Sequence, residues 1–228
     1  NILLLTAVVT RGSATMYYVN YVLLRPELVF AFIVSGMVAS LSGALLSERL
    51  LGKFDRVRAY QWTIMTFVIF GALIFFIPPS QVWLIFGLNI VFSFIQNLTT
   101  PLQWTMFSDV VDYEEHRSGR RLDGLVFSTA LFAIKFGLAL GGAVVGWVLG
   151  MVDYAPGQVT QAPHVLSTIN ALFTLIPCVL FLCMVALLSI YKLNSRLVDS
   201  IARELAGKRE VRPDAGKLSP ATHSAIQE

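Results

Sequence analysis

The sequence predicts an all-α polytopic membrane protein, a bundle of six transmembrane helices. Three observations lead there. Of the 228 residues, 56% are hydrophobic and 14% charged, where soluble domains carry about a quarter charged residues. Apolar runs of roughly 18 residues or more, long enough to cross the hydrocarbon core as helices, follow one another along the chain. The runs are continuous, whereas barrel strands would alternate polar and apolar residues over about ten positions. Each span must also satisfy its own backbone groups in lipid, and helices do so.

The spans fall at 2–24, 28–51, 60–78, 82–107, 125–151 and 165–190, a bundle over 1–190. The first is interrupted by Thr6, Thr10, Arg11, Ser13, Tyr17 and Asn20. The second ends at a basic cluster, Arg49, Lys53, Arg56 and Arg58. The third closes on the turn "PPSQ". The fourth runs into "DVVDYEEHRSGRRLDG", residues 109–124, where charges crowd between two apolar runs. The fifth begins at Gly124-Leu125 and ends before the loop 152–164. The sixth carries Ser167, Thr168, Asn170, Thr174 and Pro177, mostly near its outer end. A tail, 191–228, follows. Its Leu193, Leu197, Ile201 and Leu205 recur every four residues, which predicts a short amphipathic helix over 193–206. Beyond Gly207 the composition turns polar, with Pro213, Gly216 and Pro220, and predicts disorder.

Basic residues orient the spans. Those of the 2–3 connection, those of the 4–5 connection (Arg117, Arg120, Arg121) and those of the tail lie on one side, while the other side has only Arg25. The positive-inside rule makes the first side cytoplasmic, together with the C-terminus. The net charge of +3 therefore belongs to the membrane surface and does not suggest nucleic acid as a partner. The two cysteines, Cys178 and Cys183, share one apolar run and form no disulfide framework or metal cluster, so no metal or cofactor is expected. Asn1 already stands in an apolar run, without a basic stretch or cleavage site before it. The chain reads as the C-terminal portion of something longer.

Polar groups inside spans are costly and mark cavities, pathways or helix contacts. On the fourth span Asn89, Ser93, Gln96, Asn97, Thr100, Gln103 and Trp104 share about a third of the circumference. Amides and hydroxyls both donate and accept, and an indole stacks on an apolar sugar face, so this stripe suits a hydroxyl-rich ligand in a water-filled cavity. The alternative, polar glue between helices, needs fewer residues. Pro101 removes a backbone donor on the same span and predicts a kink. On the first span Thr6, Thr10, Ser13, Tyr17 and Asn20 form a similar stripe, while Arg11 projects from the other side of a regular helix. Unwinding at Gly12 and Ser13 would re-aim it. Arg11 is either a structural cation paired with a carboxylate or carbonyl, or a group that serves substrate or coupling. Lys135 lies near mid-membrane depth on the fifth span, on one face with Ser128, Gly142 and Gly146. Small residues there suit a bundle interior and a coupling role or a rearranging ion pair, with a static pair as the alternative. No Asp or Glu lies deep in these spans, so a partner for Lys135 is expected outside this chain.

Asp109 and Asp112, three apart, share a helical face. An enzyme acting on lipid diphosphates would hold Mg²⁺ with such a pair, but needs a second acidic cluster, and the sequence offers none. The other reading is a cytoplasmic cap of paired charges.

The stretch "PLQWTMFSDVVDYEEHRSGRRLDGLVFSTALFAIKFGLALGG" strongly resembles the span 10 to span 11 region of the glycoside–pentoside–hexuronide:cation symporters, the branch of the major facilitator superfamily that includes the melibiose permease. The matching elements are Pro101, Trp104, Asp109-x-x-Asp112-Tyr113, Gly119, Gly124-Leu125-Val126, Lys135 and Gly141-Gly142. "TRGSATMYYVNYVL" looks like that family's seventh span, and "SERLLGKFDRVRAY" falls where a degenerate 8–9 loop motif would. The resemblance covers about residues 1–195. It implies that the six spans are the C-terminal half of a twelve-span fold, with a sugar or glycoside bound between two halves. A coupling cation (Na⁺, H⁺ or Li⁺) would be held mainly by carboxylates of the missing N-terminal six-helix half, in the cytoplasmic (inner) membrane of a bacterial-type cell. It further implies that Asp109 and Asp112, with Arg117, Arg120 and Arg121, belong to a cytoplasmic gate, and that Lys135 matches a functionally sensitive lysine. Ala130 and Leu131 are apolar where the melibiose permease is more polar, so sugar and cation stay open. The expected protein is a transporter, not an enzyme, and this chain is expected to be inactive alone.

Overall fold

The computed structural model describes residues 1–52, 54–119, 122–158, 160–189, 200–201 and 203–204. Among them every regular element is helical. Helix α1 (Ile2–Tyr17) passes into a π-helical turn, Tyr18–Val22, and a short 3₁₀ turn, Pro26–Leu28, leads into α2 (Val29–Leu51). Then come α3 (Arg56–Phe76), α4 (Val82–Ser118), α5 (Asp123–Met151), α6 (Pro163–Phe173) and α7 (Leu175–Ser189). Grouped end to end, they give six segments long and apolar enough to cross a membrane. Large apolar side chains cover the outside: Phe76 is 80% and Trp62 73% exposed, as a surface facing lipid requires.

Two boundaries differ from the sequence expectation. Helix α4 does not stop near 107 but continues to Ser118, so most of the charged stretch is helix. Hydropathy marks where the bilayer ends, not where backbone hydrogen bonding ends. What stops α4 is Gly119, in the left-handed region (φ 69°), whose N–H caps the Glu115 carbonyl. The sixth span is two helices. Its backbone departs from helical geometry at Thr174 (φ −119°, ψ −66°), three residues before Pro177, which has no N–H for the carbonyl of Phe173. Of the tail, residues 200, 201, 203 and 204 are helical, with Ile201 buried. The rest of the expected 193–206 helix and the segment after it lie outside the described residues.

Small residues set the helix pairings. On α2, Gly36, Ser40, Gly43 and Ser47 recur at spacings of four and three and face α4. A Cβ on Gly43 would collide with the Phe94 carbonyl, and Ser47 Oγ donates to the Leu98 carbonyl (2.9 Å). Helices α1 and α5 meet at Gly137 and Gly141, where an added Cβ would lie 2.7 Å from Leu5 Cβ and 2.6 Å from Val9 Cβ respectively. Thr6 and Thr10 of α1 donate to the carbonyls of those same glycines (3.4 and 3.3 Å). The α1 threonines, read from sequence as part of a cavity stripe, are thus helix–helix ties. Helix α3 packs on α7, with Gly71 against Cys178.

Two apolar clusters fill the interior. One, with Tyr18, Phe32, Ile169 and Phe173, lies toward the end of the bundle bearing Tyr154. The other, with Tyr60, Phe67, Phe92 and Phe181, lies toward the end bearing Arg56. The seam between them is where Arg11 sits, the one deeply buried charge among the described residues.

Candidate functional site

Arg11 stands on an unbroken turn of α1, because Gly12 and Ser13 stay helical. Its side chain nevertheless turns inward and is 5% exposed. Nη1 donates to the Phe173 carbonyl (2.9 Å) and Nη2 to Asn89 Oδ1 (3.2 Å). The guanidinium carbon lies 3.9 Å from the centre of the Phe92 ring and 4.0 Å from that of Phe173. A charged arginine at mid-membrane costs about 2.5–3.5 kcal/mol on insertion scales. Two aromatic faces, each contributing ~0.5–2 kcal/mol, and two charge-assisted hydrogen bonds offset that cost. Of the pairings the sequence left open, carboxylate or carbonyl, the structure has the carbonyl.

Arg11 also borders a cleft of about 250 Å³ between α1, α2 and α4. Asn89, Ser93 and Gln96 form its α4 wall, Gly12 and Thr15 its α1 side, and Gly36 and Ser40 its α2 side. A second cleft, of about 200 Å³, adjoins it through Val8 and Gln96. It runs past Thr99, Thr100, Gln103 and Trp104 to Ile134 of α5. The predicted α4 stripe is therefore brought to two neighbouring clefts, with one exception. Asn97 lines neither: its Nδ2 donates to Ser40 Oγ of α2 (2.5 Å) and its Oδ1 accepts from Thr100 Oγ1 one turn along α4 (2.8 Å), so both ends of the amide are engaged. Gln103 Nε2 donates to Asn1 Oδ1. Trp104 is partly exposed and packs edge-on against Phe107.

Tyr17 and Asn20 are not brought to the clefts. Tyr17 meets the ring of Tyr154 edge-on at 5.4 Å between centres, and Tyr154 Oη donates to Tyr21 Oη (3.0 Å). Asn20 is half-buried in the π-helical turn. All these groups lie at the end opposite Arg56.

Lys135 differs from the sequence expectation. It is exposed, and open space lies beside Gly142 and Gly146. The glycines that take a neighbouring helix of this chain are Gly137 and Gly141, so the face bearing Lys135 is turned out of this bundle rather than into its interior.

At the Arg56 end, Asp109 takes a cation that sequence reasoning did not single out. Arg56 Nη1, in the first turn of α3, lies 3.0 Å from Asp109 Oδ1 and 3.1 Å from Oδ2. The signal was present, since Arg56 belongs to the basic 2–3 connection, but only the fold selects it from its neighbours. Asp55 caps the α3 N-terminus by accepting from the Arg58 N–H (3.0 Å), which fixes the start of the helix at Arg56. Asp112, one turn beyond Asp109, is half-buried and Arg117 is exposed. His116 Nδ1 lies 3.6 Å from Glu204 Oε2 of the tail. Arg120 and Arg121 lie outside the described residues. Among the described residues no group of three or more His, Cys, Asp or Glu side chains is placed to hold a metal.

The chain matches the family described as MFS/sugar transport protein over residues 2–195. It is 53% identical to YagG of Escherichia coli K12, provisionally named a glycoside/cation symporter, over 91% of this chain and 46% of that protein. It is 36% identical to the inner membrane symporter YicJ of the same organism, over 89% of this chain and 45% of YicJ. It is 26% identical to the glucuronide carrier protein homolog, also of Escherichia coli K12, over 88% of this chain and 44% of that one. The chain thus spans about half the length of these relatives.

Proposed function

This chain belongs to the MFS/sugar transport protein family, and from that membership we propose that it forms the C-terminal half of a secondary active transporter that moves a sugar or glycoside together with a monovalent cation. The observation that carries the reading is the cleft wall of Asn89, Ser93 and Gln96 beside Arg11. Neutral amides and a hydroxyl at membrane depth hydrogen-bond hydroxyls and have no evident use for an apolar ligand. The names of YagG and YicJ as symporters support transport over catalysis. The clefts are small for a glycoside by themselves, which fits a site completed by a second six-helix half.

In this reading the two halves rock about the bound sugar. Lys135, turned out of the bundle, faces the other half, and carboxylates of that half bind Na⁺, H⁺ or Li⁺. The Arg56–Asp109 pair, with Asp112 and the arginines after it, forms the cytoplasmic gate. The basic connections and the C-terminus lie in the cytoplasm, and the membrane is the bacterial inner membrane, as in the name of YicJ. This chain alone does not transport.

The test is uptake of labelled pentosides, hexuronides and α- and β-galactosides into vesicles containing the full-length transporter. Accumulation of at least one class, impaired by Gln96→Ala, supports the reading. Uptake unaltered by Gln96→Ala removes the α4 wall from the substrate path.

A second reading, a lipid-diphosphate enzyme holding Mg²⁺ at Asp109 and Asp112, is disfavoured by the Arg56 guanidinium already bound to Asp109.

A further inference from the structure

Three spans meet at Arg11, and each contact has a separate cause. In a continuous helix the Phe173 carbonyl would accept from the N–H of residue 177, four positions on. That residue is Pro177, so the carbonyl is orphaned where the sixth span breaks, and Arg11 Nη1 supplies the donor at 2.9 Å. The contact to Asn89 fixes an orientation. A guanidinium has donors only, so Asn89 must present Oδ1 to it, as it does at 3.2 Å. Nδ2 is thereby turned the other way, toward Gly36. A Cβ built on Gly36 would lie 3.5 Å from Asn89 Nδ2 and 3.1 Å from Ser93 Oγ, and all three residues line the cleft. That corner of the cleft is bordered by two donors, and even a Cβ on residue 36 would crowd the Ser93 hydroxyl. Among the described residues no carboxylate pairs with Arg11.

We propose that Arg11 is a positioning residue: it aims the Asn89 amide so that Nδ2 and the Ser93 hydroxyl meet an acceptor oxygen of the ligand beside Gly36, and through the Phe173 carbonyl it ties that contact to the break in the sixth span. The proposal rests on the transport reading above and names the chemistry of one corner of its site. A ligand oxygen that draws on Asn89 changes the hold of Nη2, and with it the purchase of Nη1 on the end of α6. The hinge between α6 and α7 thus has a different contact in the liganded and empty states, which is what a ligand needs in order to shift a conformational equilibrium.

Cys178 reports on the hinge. It follows Pro177 directly, is buried, and seats its thiol on α3 against Gly71, with Sγ 3.6 Å from the Val68 carbonyl. The experiment uses the full-length transporter with Cys183→Ser and follows alkylation of Cys178 by N-ethylmaleimide alongside uptake of whichever panel glycoside the parent accumulates. Arg11→Met is expected to raise the alkylation rate several-fold, and Arg11→Lys, which keeps a donor but not the two-pronged fork, to give an intermediate rate. Asn89→Asp keeps an acceptor for Arg11 but removes the Nδ2 donor. Because the new carboxylate holds Nη2 more firmly than the amide does, Cys178 alkylation should stay at or below the parental rate, while KM rises about tenfold, the effect of one lost hydrogen bond, with kcat little changed. Arg11→Met should also raise KM, because Nδ2 is no longer held toward Gly36, whereas a purely structural Arg11 predicts faster alkylation with a parental KM. A parental alkylation rate in Arg11→Met, or a parental KM in Asn89→Asp, overturns the proposal. If the parent accumulates no panel glycoside, the transport reading fails instead, and the alkylation arm decides the Arg11–Phe173 link by itself.

Discussion

Pro177 and Arg11 are complementary: the N–H that the proline lacks is replaced, at the Phe173 carbonyl, by Arg11 Nη1 at 2.9 Å. Loss of either partner should therefore be felt through the other. Arg11→Met leaves a buried carbonyl unsatisfied and is expected to cost about 1–3 kcal/mol of stability. In a Pro177→Ala background the restored N–H takes over the carbonyl, and the same substitution should cost at least ~1 kcal/mol less. Chemical unfolding of the four detergent-solubilised proteins measures the cycle. Additive effects would show that Arg11 does not serve the break.

The glycines of α5 should divide by face. Gly141→Ala places a methyl 2.6 Å from Val9 Cβ and 2.9 Å from the Thr6 carbonyl, an overpacking expected to cost about 1–3 kcal/mol. Gly142→Ala meets open space and should not destabilise this bundle, the gain in helix propensity adding up to about 1 kcal/mol. Thermal unfolding of the two variants decides it, and equal destabilisation would contradict the α1–α5 pairing.

Lys135 should separate function from folding. Because its side chain is exposed on this bundle, Lys135→Ala is expected to leave the unfolding midpoint unchanged. In the full-length transporter it should reduce sugar accumulation about tenfold or more, equivalent to ~1.4 kcal/mol. A stability loss without an uptake loss would place the lysine in an internal pair.

The Arg56–Asp109 pair is partly buried, with 29% and 13% of the two side chains exposed, so it should contribute about 1 kcal/mol, more than a fully exposed pair. Arg56→Asp and Asp109→Arg are each expected to depress uptake, and the double exchange to recover part of it. No recovery would mean that the two residues act through other partners.

The six spans were legible because bilayer thickness imposes a length of apolar sequence that few other structures need. The extension of α4 to Ser118 was not, since the charges from Asp109 to Arg117 end the apolar run while their backbone stays helical, and a hydropathy reading sees only the first event. The α4 stripe was legible as a face, but not its division: Asn97, next to Gln96, is taken up by hydrogen bonds to Ser40 and Thr100. The α1 threonines carry a readable clue to helix packing rather than to a cavity. Thr6 and Thr10, four apart, match Gly137 and Gly141, four apart, which is the spacing of a tight helix crossing. The role of Arg11 was half legible. Pro177 announces an orphaned carbonyl at Phe173, but a backbone acceptor has no signature that names its donor on another span.

In the proposed function the α4 wall of the cleft between α1 and α2 contacts the transported sugar. Alkylation of Ser93→Cys in the full-length transporter, with Cys178 and Cys183 replaced by serine, tests it most directly. The predicted result is that a transported glycoside at about ten times its Kd slows the reaction roughly tenfold, while a sugar that is not transported leaves it unchanged. An alkylation rate indifferent to the transported glycoside would contradict the account.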